Sequence, residues 1–269
     1  MNRTTNQSDK ILVSIVIPAY RAGRFILETV KSRLVELESL HVPYEIIVVI
    51  DGRSVETAEA LKKLAHPNVR YYHYEKNRGK GFAVKFGMAR ARGAYIGYVD
   101  AGADILPGNL TRLITTMQKT HADAVIPSKW HPDTLLHYSG RRRLFSKLYN
   151  AFSRILLGIP VRDTQVGVKL YRRELVHAVI PRLLVKRFAF EVEFLSVAWS
   201  LGFKRFEEVP VTLKEDIEGS TVTLLEGIRS FWDTAAVFYR LRLLRYYRGA
   251  DAGYFLQLKQ ELSTLRLLD

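Results

Sequence analysis

The chain has 269 residues, no cysteine, and 41 lysines plus arginines against 27 aspartates plus glutamates, giving a formal charge of +14. With 48% apolar and 25% charged residues, this is the composition of a folded chain long enough to bury a full core. The missing thiol excludes disulfides, thiolate metal sites and cysteine nucleophiles and fits a reducing compartment, while the positive charge calls for an anionic partner: nucleic acid, anionic lipid or a phosphorylated substrate.

Residues 1–10 read as a flexible polar tail with no apolar signal core. The run ILVSIVI at 11–17 is β-branched and apolar and reads as a buried strand closed by Pro18. Apolar residues at helical spacing follow over 28–40. EIIVVI at 45–50 is a second buried strand, ended by Asp51 and Gly52. A short helix is expected over 57–64, a strand over 69–74, a helix over 81–92, a strand over 94–99 ending at Asp100, a helix over 110–120 and a strand over 124–127. Strand and helix thus alternate, which predicts a mostly parallel α/β sheet with helices on both faces. Ligands of such sheets bind at the carboxyl ends of strands, which brings 18–21, 51–54 and 100–104 to one edge.

The second half is less regular. Helices are expected over 141–157, 175–180 and 190–201, a strand over 206–213, and one long helix over 224–248. The segment 141–157 carries Arg141, Arg142, Arg143, Lys147 and Arg154 with no acid, opposite an apolar face of Leu144, Phe145, Leu148, Phe152, Ile155 and Leu156. That is the profile of a helix lying in a lipid headgroup layer. The 228–248 segment sets five arginines and six aromatics against Asp233; core packing or a homodimer contact accounts for it equally well. The longest stretches free of Asp, Glu, Lys and Arg are ten residues, 11–20 and 194–203, short of the roughly 18 a bilayer-spanning helix needs. The expectation is a cytoplasmic protein, peripherally associated with a membrane and without a transmembrane segment.

NRGKGFAVKFG at 77–87 follows a strand and opens a helix; it suits either a phosphate, met by glycine backbone and helix N–H groups, or a plain glycine turn with a solvated lysine. Its spacing matches neither the P-loop nor the dinucleotide fingerprint. Asp100 and Asp104 at a strand end suit a divalent cation, and Asp51 suits either a base, a ribose or a turn. Seven scattered histidines have no metal-ligand spacing. Glu191 and Glu193 evoke a pair of hydrolytic carboxylates, but their helical, apolar setting favours a structural or sugar-orienting role.

Together the segments VSIVIPAYRA (13–22), EIIVVIDGRS (45–54), NRGKGFAVKFGMARARG (77–93), YVDAGAD (98–104), IPSKW (126–130), RRRLFSKLYN (141–150), VRDTQVGVKLYRRE (161–174), FAFEVEFL (188–195) and EEVPVTLKEDIEGST (207–221) resemble the family 2 glycosyltransferases of the GT-A, Rossmann-like fold. Within them they are similar to the polyprenyl-phosphate branch, the dolichyl-phosphate β-glucosyltransferases and dolichol-phosphate mannose synthases, with a lean to the glucosyl side. The resemblance implies a GT-A domain over 11–225 and an amphipathic helical extension over 226–269. It implies inverting transfer of a hexose from a nucleotide-sugar donor, UDP-glucose or GDP-mannose, to a polyprenyl phosphate at an anionic membrane surface, with Mg²⁺ or Mn²⁺ as cofactor. An ionised phosphate acceptor needs no dedicated general base.

Residue by residue, the resemblance puts Pro18, Ala19, Tyr20, Asp51, Lys80 and Asp100 at the nucleotide-sugar. It puts Lys129, Arg142 and Ser146 at the acceptor phosphate, Asp163 and Gln165 beside the sugar and diphosphate, and Asp100 and Asp104 at the metal. The chain departs from the family pattern at Arg21, at Ile50 and Arg53 around the Asp-Gly pair, at Gly102 in place of the second acid of Asp-x-Asp, and at Thr221. Either Asp104 replaces that acid, or Asp100 holds a metal with diphosphate and water. Two other readings are a GT-A enzyme with a soluble glycan or protein acceptor, and a basic nucleic-acid-binding module. The second lacks any recognisable nucleic-acid motif, so no nucleic-acid partner is expected.

Overall fold

A computed structural model describes residues 11–23, 25–102, 105–134, 140–187, 189–214, 224–249 and 254–263, with the side chains of 140–145, 224–228, 254 and 261 outside the description. In chain order the elements are β1 (Val13–Ala19), α1 (Phe25–Glu38), β2 (Tyr44–Asp51), α2 (Val55–Leu64), β3 (Val69–Tyr74), α3 (Lys80–Met88), β4 (Tyr95–Val99), α4 (Asn109–Thr120), β5 (Ala124–Ser128), α5 (Gly140–Leu157), β6 (Val168–Arg172), α6 (Arg173–Val179), α7 (Phe190–Ser200), β7 (Phe206–Pro210), α8 (Leu224–Phe238) and α9 (Tyr254–Ser263).

The strands form one seven-stranded sheet in the order β3-β2-β1-β4-β6-β5-β7. β1 pairs in parallel with β2 and β4, β2 with β3, and β5 with β7; β6 runs antiparallel to both β4 and β5. Both faces are covered, so the central strands are apolar throughout instead of alternating. Ile15, Ile17, Ile46 and Val48 face a layer built by Val30, Leu34 and Leu37 of α1, Leu61 of α2 and Leu110, Leu113, Ile114 and Met117 of α4. Val16, Ile47 and Val49 face the opposite layer, with Phe86 of α3, Leu175 of α6 and Phe194 of α7. Each fully buried side chain of this size contributes roughly 1.5–3 kcal/mol.

The structure differs from expectation at four places. Pro18 does not close the first strand, which continues to Ala19; as the chain is trans-extended there, the fixed proline φ is compatible with a strand end. Residues 168–172 form a strand that the alternation of β and α did not reveal, because it runs against its neighbours. The long helix expected over 224–248 ends at Phe238, continues as a π-turn over Tyr239–Leu243, and gives way to a 3-10 turn over Tyr246–Arg248. Arg245 adopts a left-handed φ of 49° at the break, and this turns Tyr247 inward to full burial, which a straight amphipathic helix would not do. The last strand is also shorter than expected, ending at Pro210, with Leu213 in an isolated bridge to Ile105. No helix among the described residues is long and apolar enough to cross a membrane.

The sheet edge at the amino ends of β1 and β2 is clamped by one buried carboxylate. Glu45 accepts from the Ser14 hydroxyl at 2.6 Å, from the Arg92 backbone N–H at 2.7 Å and from the Arg70 guanidinium at 2.5 Å. Burial would raise its pKa, but the Ser14 and Arg92 hydrogen bonds and the Arg70 charge outweigh that and hold it below the ordinary 4.5. A depressed folded pKa means stability that is present above the unfolded value and lost as the pH falls through the folded one. Glu45→Gln is therefore expected to cost about 1.5–3 kcal/mol at pH 7. The gap between variant and parent in urea denaturation should hold down to about pH 5 and narrow below it.

Candidate active site

Because β1, β2, β4 and β5 point the same way, Ala19, Asp51, Asp100 and Ser128 emerge at one edge of the sheet. The antiparallel β6 brings the residues that precede it to the same edge: Val99 pairs with Val168, and the Asp100 N–H donates to the Gly167 carbonyl at 2.7 Å. Gly167 has no room for a Cβ, which would strike the Asp100 carboxylate. At the end of β1, Ala19 is buried, Pro18 part-exposed and Tyr20 exposed, with the Arg21 guanidinium 5.2 Å from the Tyr20 ring.

Asp51 closes β2 with a buried carboxylate that accepts three hydrogen bonds: from the Tyr74 hydroxyl at 2.9 Å, the Arg78 N–H at 2.7 Å and the Gly79 N–H at 2.9 Å. The negative side chain thus caps the turn that opens α3, where an anion is favoured. Of the N–H groups expected to meet a phosphate, those of Arg78 and Gly79 are taken by Asp51. Gly79 sits at a φ of 95° with the Lys186 carbonyl where a Cβ would be, so no other residue fits the turn. The loop aspartate is therefore a turn-former by geometry, one of the roles its sequence context allowed.

The turn aims Lys80 into a buried charge cluster. Its ammonium lies 2.7 Å from Asp100 Oδ2 and 2.7 Å from Glu191 Oε1. Lys169 of β6, fully buried, donates to Glu191 Oε2 at 3.0 Å, to the Val166 carbonyl at 2.6 Å and to the Tyr98 hydroxyl at 3.1 Å. The two ammoniums each lie 5.5 Å from the centre of the Tyr98 ring. Two cations and two carboxylates balance. Burial would raise Glu191, but Lys169 and Lys80 outweigh it and hold it ionised. Burial lowers Lys169 despite Glu191, and burial raises Asp100 against the pull of Lys80. Asp100 Oδ1 is buried and has no hydrogen-bond partner among the described residues. It is a carboxylate oxygen with unused acceptor capacity, and its companion oxygen already faces a cation.

Asp163 is fully buried. It accepts from the Lys129 and Gln165 N–H groups at 3.1 and 3.0 Å and lies 3.6 Å from the Lys129 ammonium. It therefore folds the 163–167 loop and pins Lys129 at the end of β5, while Gln165 is part-exposed beside it. Ser146 is part-exposed on α5, and the Lys147 ammonium lies 5.3 Å from the Trp130 ring. The Arg142 side chain and Asp104 lie outside the described residues. Among the described residues no three His, Cys, Asp or Glu side chains group so as to hold a metal ion.

Glu191 and Lys169 are the site residues that sequence reasoning placed least well. Glu191 was read as structural or sugar-orienting within FAFEVEFL, and Lys169, a lone lysine within an otherwise apolar VGVKLY run, was not singled out. A charge at an interior position of a buried element is affordable only with a partner, and that was the available signal.

A model of the family described as Glycosyl transferase family 2 matches residues 14–180. The glycosyltransferase AglD of Haloferax volcanii is 32% identical over 204 residues, covering 74% of this chain but 32% of that protein, so the chain spans about a third of its length. A dolichyl-phosphate beta-glucosyltransferase of Dictyostelium discoideum is 31% identical over 265 residues, 91% of this chain and 77% of that one. Among solved structures, glucosyl-3-phosphoglycerate synthase from Mycobacterium tuberculosis in complex with Mn²⁺, uridine diphosphate and glucosyl-3-phosphoglycerate superposes with a TM-score of 0.59, covering 90% of this chain and 82% of that one. At 19% identity that likeness is one of fold.

The charge cluster makes its own test. Lys169→Met leaves Glu191 with a single cation and is expected to cost about 3–5 kcal/mol in urea denaturation. Adding Glu191→Gln should return a good part of that loss. A double variant as unstable as the single one would show that Lys169 acts through packing alone.

Proposed function

The chain belongs to glycosyl transferase family 2, and on that premise we propose that it moves a hexose from a nucleotide sugar, UDP-glucose by preference over GDP-mannose, to a polyprenyl phosphate of the dolichyl class. The observation that carries the reading is the Lys80–Asp100–Glu191 contact at the carboxyl edge of the sheet, set beside the Asp51-capped turn. The glucosyl and dolichyl assignments are supported by relatives such as the Dictyostelium protein, whose name states that activity.

In this reading the donor lies across the ends of β1, β2 and β4. The exposed Tyr20 ring and part-exposed Pro18 flank the base. Asp51 acts by shaping the turn at Gly79, and Lys80 supplies positive charge where the diphosphate leaves. Asp100 and Glu191 keep that ammonium charged and aimed, and Lys169 holds Glu191 in place, so little reorganisation is needed as charge develops. Asp100 Oδ1, a buried carboxylate oxygen without a hydrogen-bond partner among the described residues, would hold a divalent cation, Mg²⁺ or Mn²⁺. Bound there, the cation supplies further positive charge to the departing diphosphate.

The acceptor phosphate enters from the other side, toward Lys129, Ser146 and Arg142. It is already ionised at neutral pH, so the protein's task is to hold two anions together in line for an inverting displacement. Lys129 is fixed for this by Asp163. The lipid chain is provided for by α5 and α8, which expose Leu148 (57%), Ile155 (79%) and Trp232 (74%) beside the exposed Lys147, Arg154 and Arg229. Each such cation adds about 1 kcal/mol at an anionic membrane surface.

Pure protein given UDP-glucose, Mg²⁺ or Mn²⁺ and dolichyl phosphate should form a glucolipid separable by thin-layer chromatography. Absence of any glycolipid with UDP-glucose and with GDP-mannose would overturn the reading. Asp100→Asn is expected to lower turnover by at least about 100-fold, the scale of losing one charge-stabilising group. Lys129→Ala should raise the KM for dolichyl phosphate about tenfold and leave that for the nucleotide sugar nearly unchanged.

A further inference from the structure

Two residues beyond Glu191 on α7, a second carboxylate points the other way. Glu193 is fully buried, and its oxygens accept from the Leu184 N–H at 3.1 Å, the Val185 N–H at 2.8 Å and the Tyr247 hydroxyl at 2.6 Å. Arg240 lies 3.7 Å from the same carboxylate and donates to the Tyr247 hydroxyl at 2.9 Å. The Tyr247 carbonyl in turn accepts from Arg182 at 2.9 Å. Glu193 therefore joins two stretches far apart in the chain: the irregular segment 183–187 and the broken helical stretch after Phe238.

The first of these stretches is the floor of the Gly79–Lys80 turn. The Lys186 carbonyl accepts from the Phe82 N–H at 3.3 Å and occupies the space a Cβ on Gly79 would need. The Leu183 carbonyl accepts from Lys85 of α3 at 3.2 Å. The Arg187 carbonyl and the Phe190 ring close in on Gly81 in the same way. Displacing 184–186 by a fraction of an ångström has no slack to absorb it before it reaches the backbone that carries Lys80.

Two loop N–H groups do not by themselves require a charged acceptor at this depth, since desolvating a carboxylate costs several kcal/mol and a neutral amide or water satisfies N–H groups more cheaply. The carboxylate is accounted for by its other partners, the Tyr247 hydroxyl and the Arg240 guanidinium. We propose that Glu193, with Tyr247 and Arg240, is a positioning group for the Lys80 turn, through which the C-terminal stretch sets the geometry of the donor site. The donor-site part of this statement rests on the function proposed above; the mechanical part does not.

Tyr247→Phe removes one hydroxyl and no packing volume. Its amides over 77–82 and 184–187 are expected to exchange with deuterium about tenfold faster than in the parent, the scale of one lost hydrogen bond to a charged group. Uridine diphosphate, measured by titration calorimetry, should bind about tenfold more weakly, with kcat reduced and the KM for dolichyl phosphate unmoved. A merely structural role predicts instead a lower melting temperature with parental nucleotide affinity and parental exchange at 77–82, and that result overturns the proposal. Glu193→Gln, which keeps an acceptor for the loop, should fall between parent and Tyr247→Phe in all three measurements; equality with Glu193→Ala would also count against it. If Tyr247→Phe does not fold, Arg240→Gln carries the same measurements, with parental values overturning the proposal. Faster exchange in a protein whose parent binds neither uridine nor guanosine diphosphate would remove the donor-site reading and leave the mechanical coupling standing.

Discussion

The Lys80 ammonium is held between two carboxylates at 2.7 Å, one at the end of a central strand and one on a buried helix. Taking these charges out of water is costly, and the cost is offset only while every partner is in place. That requirement fixes four elements relative to one another: α3 must start at Lys80, β4 must end just before Asp100, α7 must present Glu191, and β6 must bring Lys169 underneath. A hydrophobic contact tolerates sliding, whereas a buried ion pair with hydrogen bonds on both oxygens does not. This edge of the sheet is rigid for the same reason that it is expensive.

Charge is organised on a second scale. The cluster at the site is neutral, so the excess of +14 lies elsewhere, much of it on α5 and on the stretch that follows α8. A neutral cluster adds no strong field, so in the proposed function the anionic donor is met by individually placed ammoniums such as Lys80. In the proposed function these outer cations act at long range on an anionic surface, and the exposed ones among them, such as Lys147 and Arg154, are screened by salt over about 10 Å at 0.1 M. The proposed acceptor, a greasy phosphate, needs both kinds of cation: a diffuse field to gather it and a fixed group to hold it.

The first half of the fold was legible because it is periodic. Buried parallel strands are continuous apolar runs, and the helices between them carry apolar residues three and four apart, as in Leu110, Leu113, Ile114 and Met117. β6 escaped because its five residues, VKLYR, include Lys169 and run straight into α6, so neither a continuous apolar run nor a following turn marks it. The break after Phe238 escaped because a helical pattern in sequence does not register that burying one tyrosine on a carboxylate outweighs continuing the helix. At the site, Asp51, Lys80 and Asp100 were legible as polar residues after strands. Glu191 and Lys169 come from interior positions of elements, where pattern reading expects packing and only a three-dimensional partner explains a charge. Asp163 was legible as part of a motif, yet its carboxylate turns inward to fold a loop, a distinction that composition and spacing do not carry.

The reversed direction of β6 also shapes how such an enzyme can diversify. Its preceding loop, not its following one, reaches the carboxyl edge of the parallel strands, while its far end is tied by Arg172 to the His121 and Ala122 carbonyls at the opposite rim. Within that loop Val161, Asp163, Thr164 and Val166 are buried and committed to the scaffold, leaving Arg162 and Gln165 turned outward. Substitution at those two positions leaves the buried layers beneath undisturbed, whereas substitution at the other four does not.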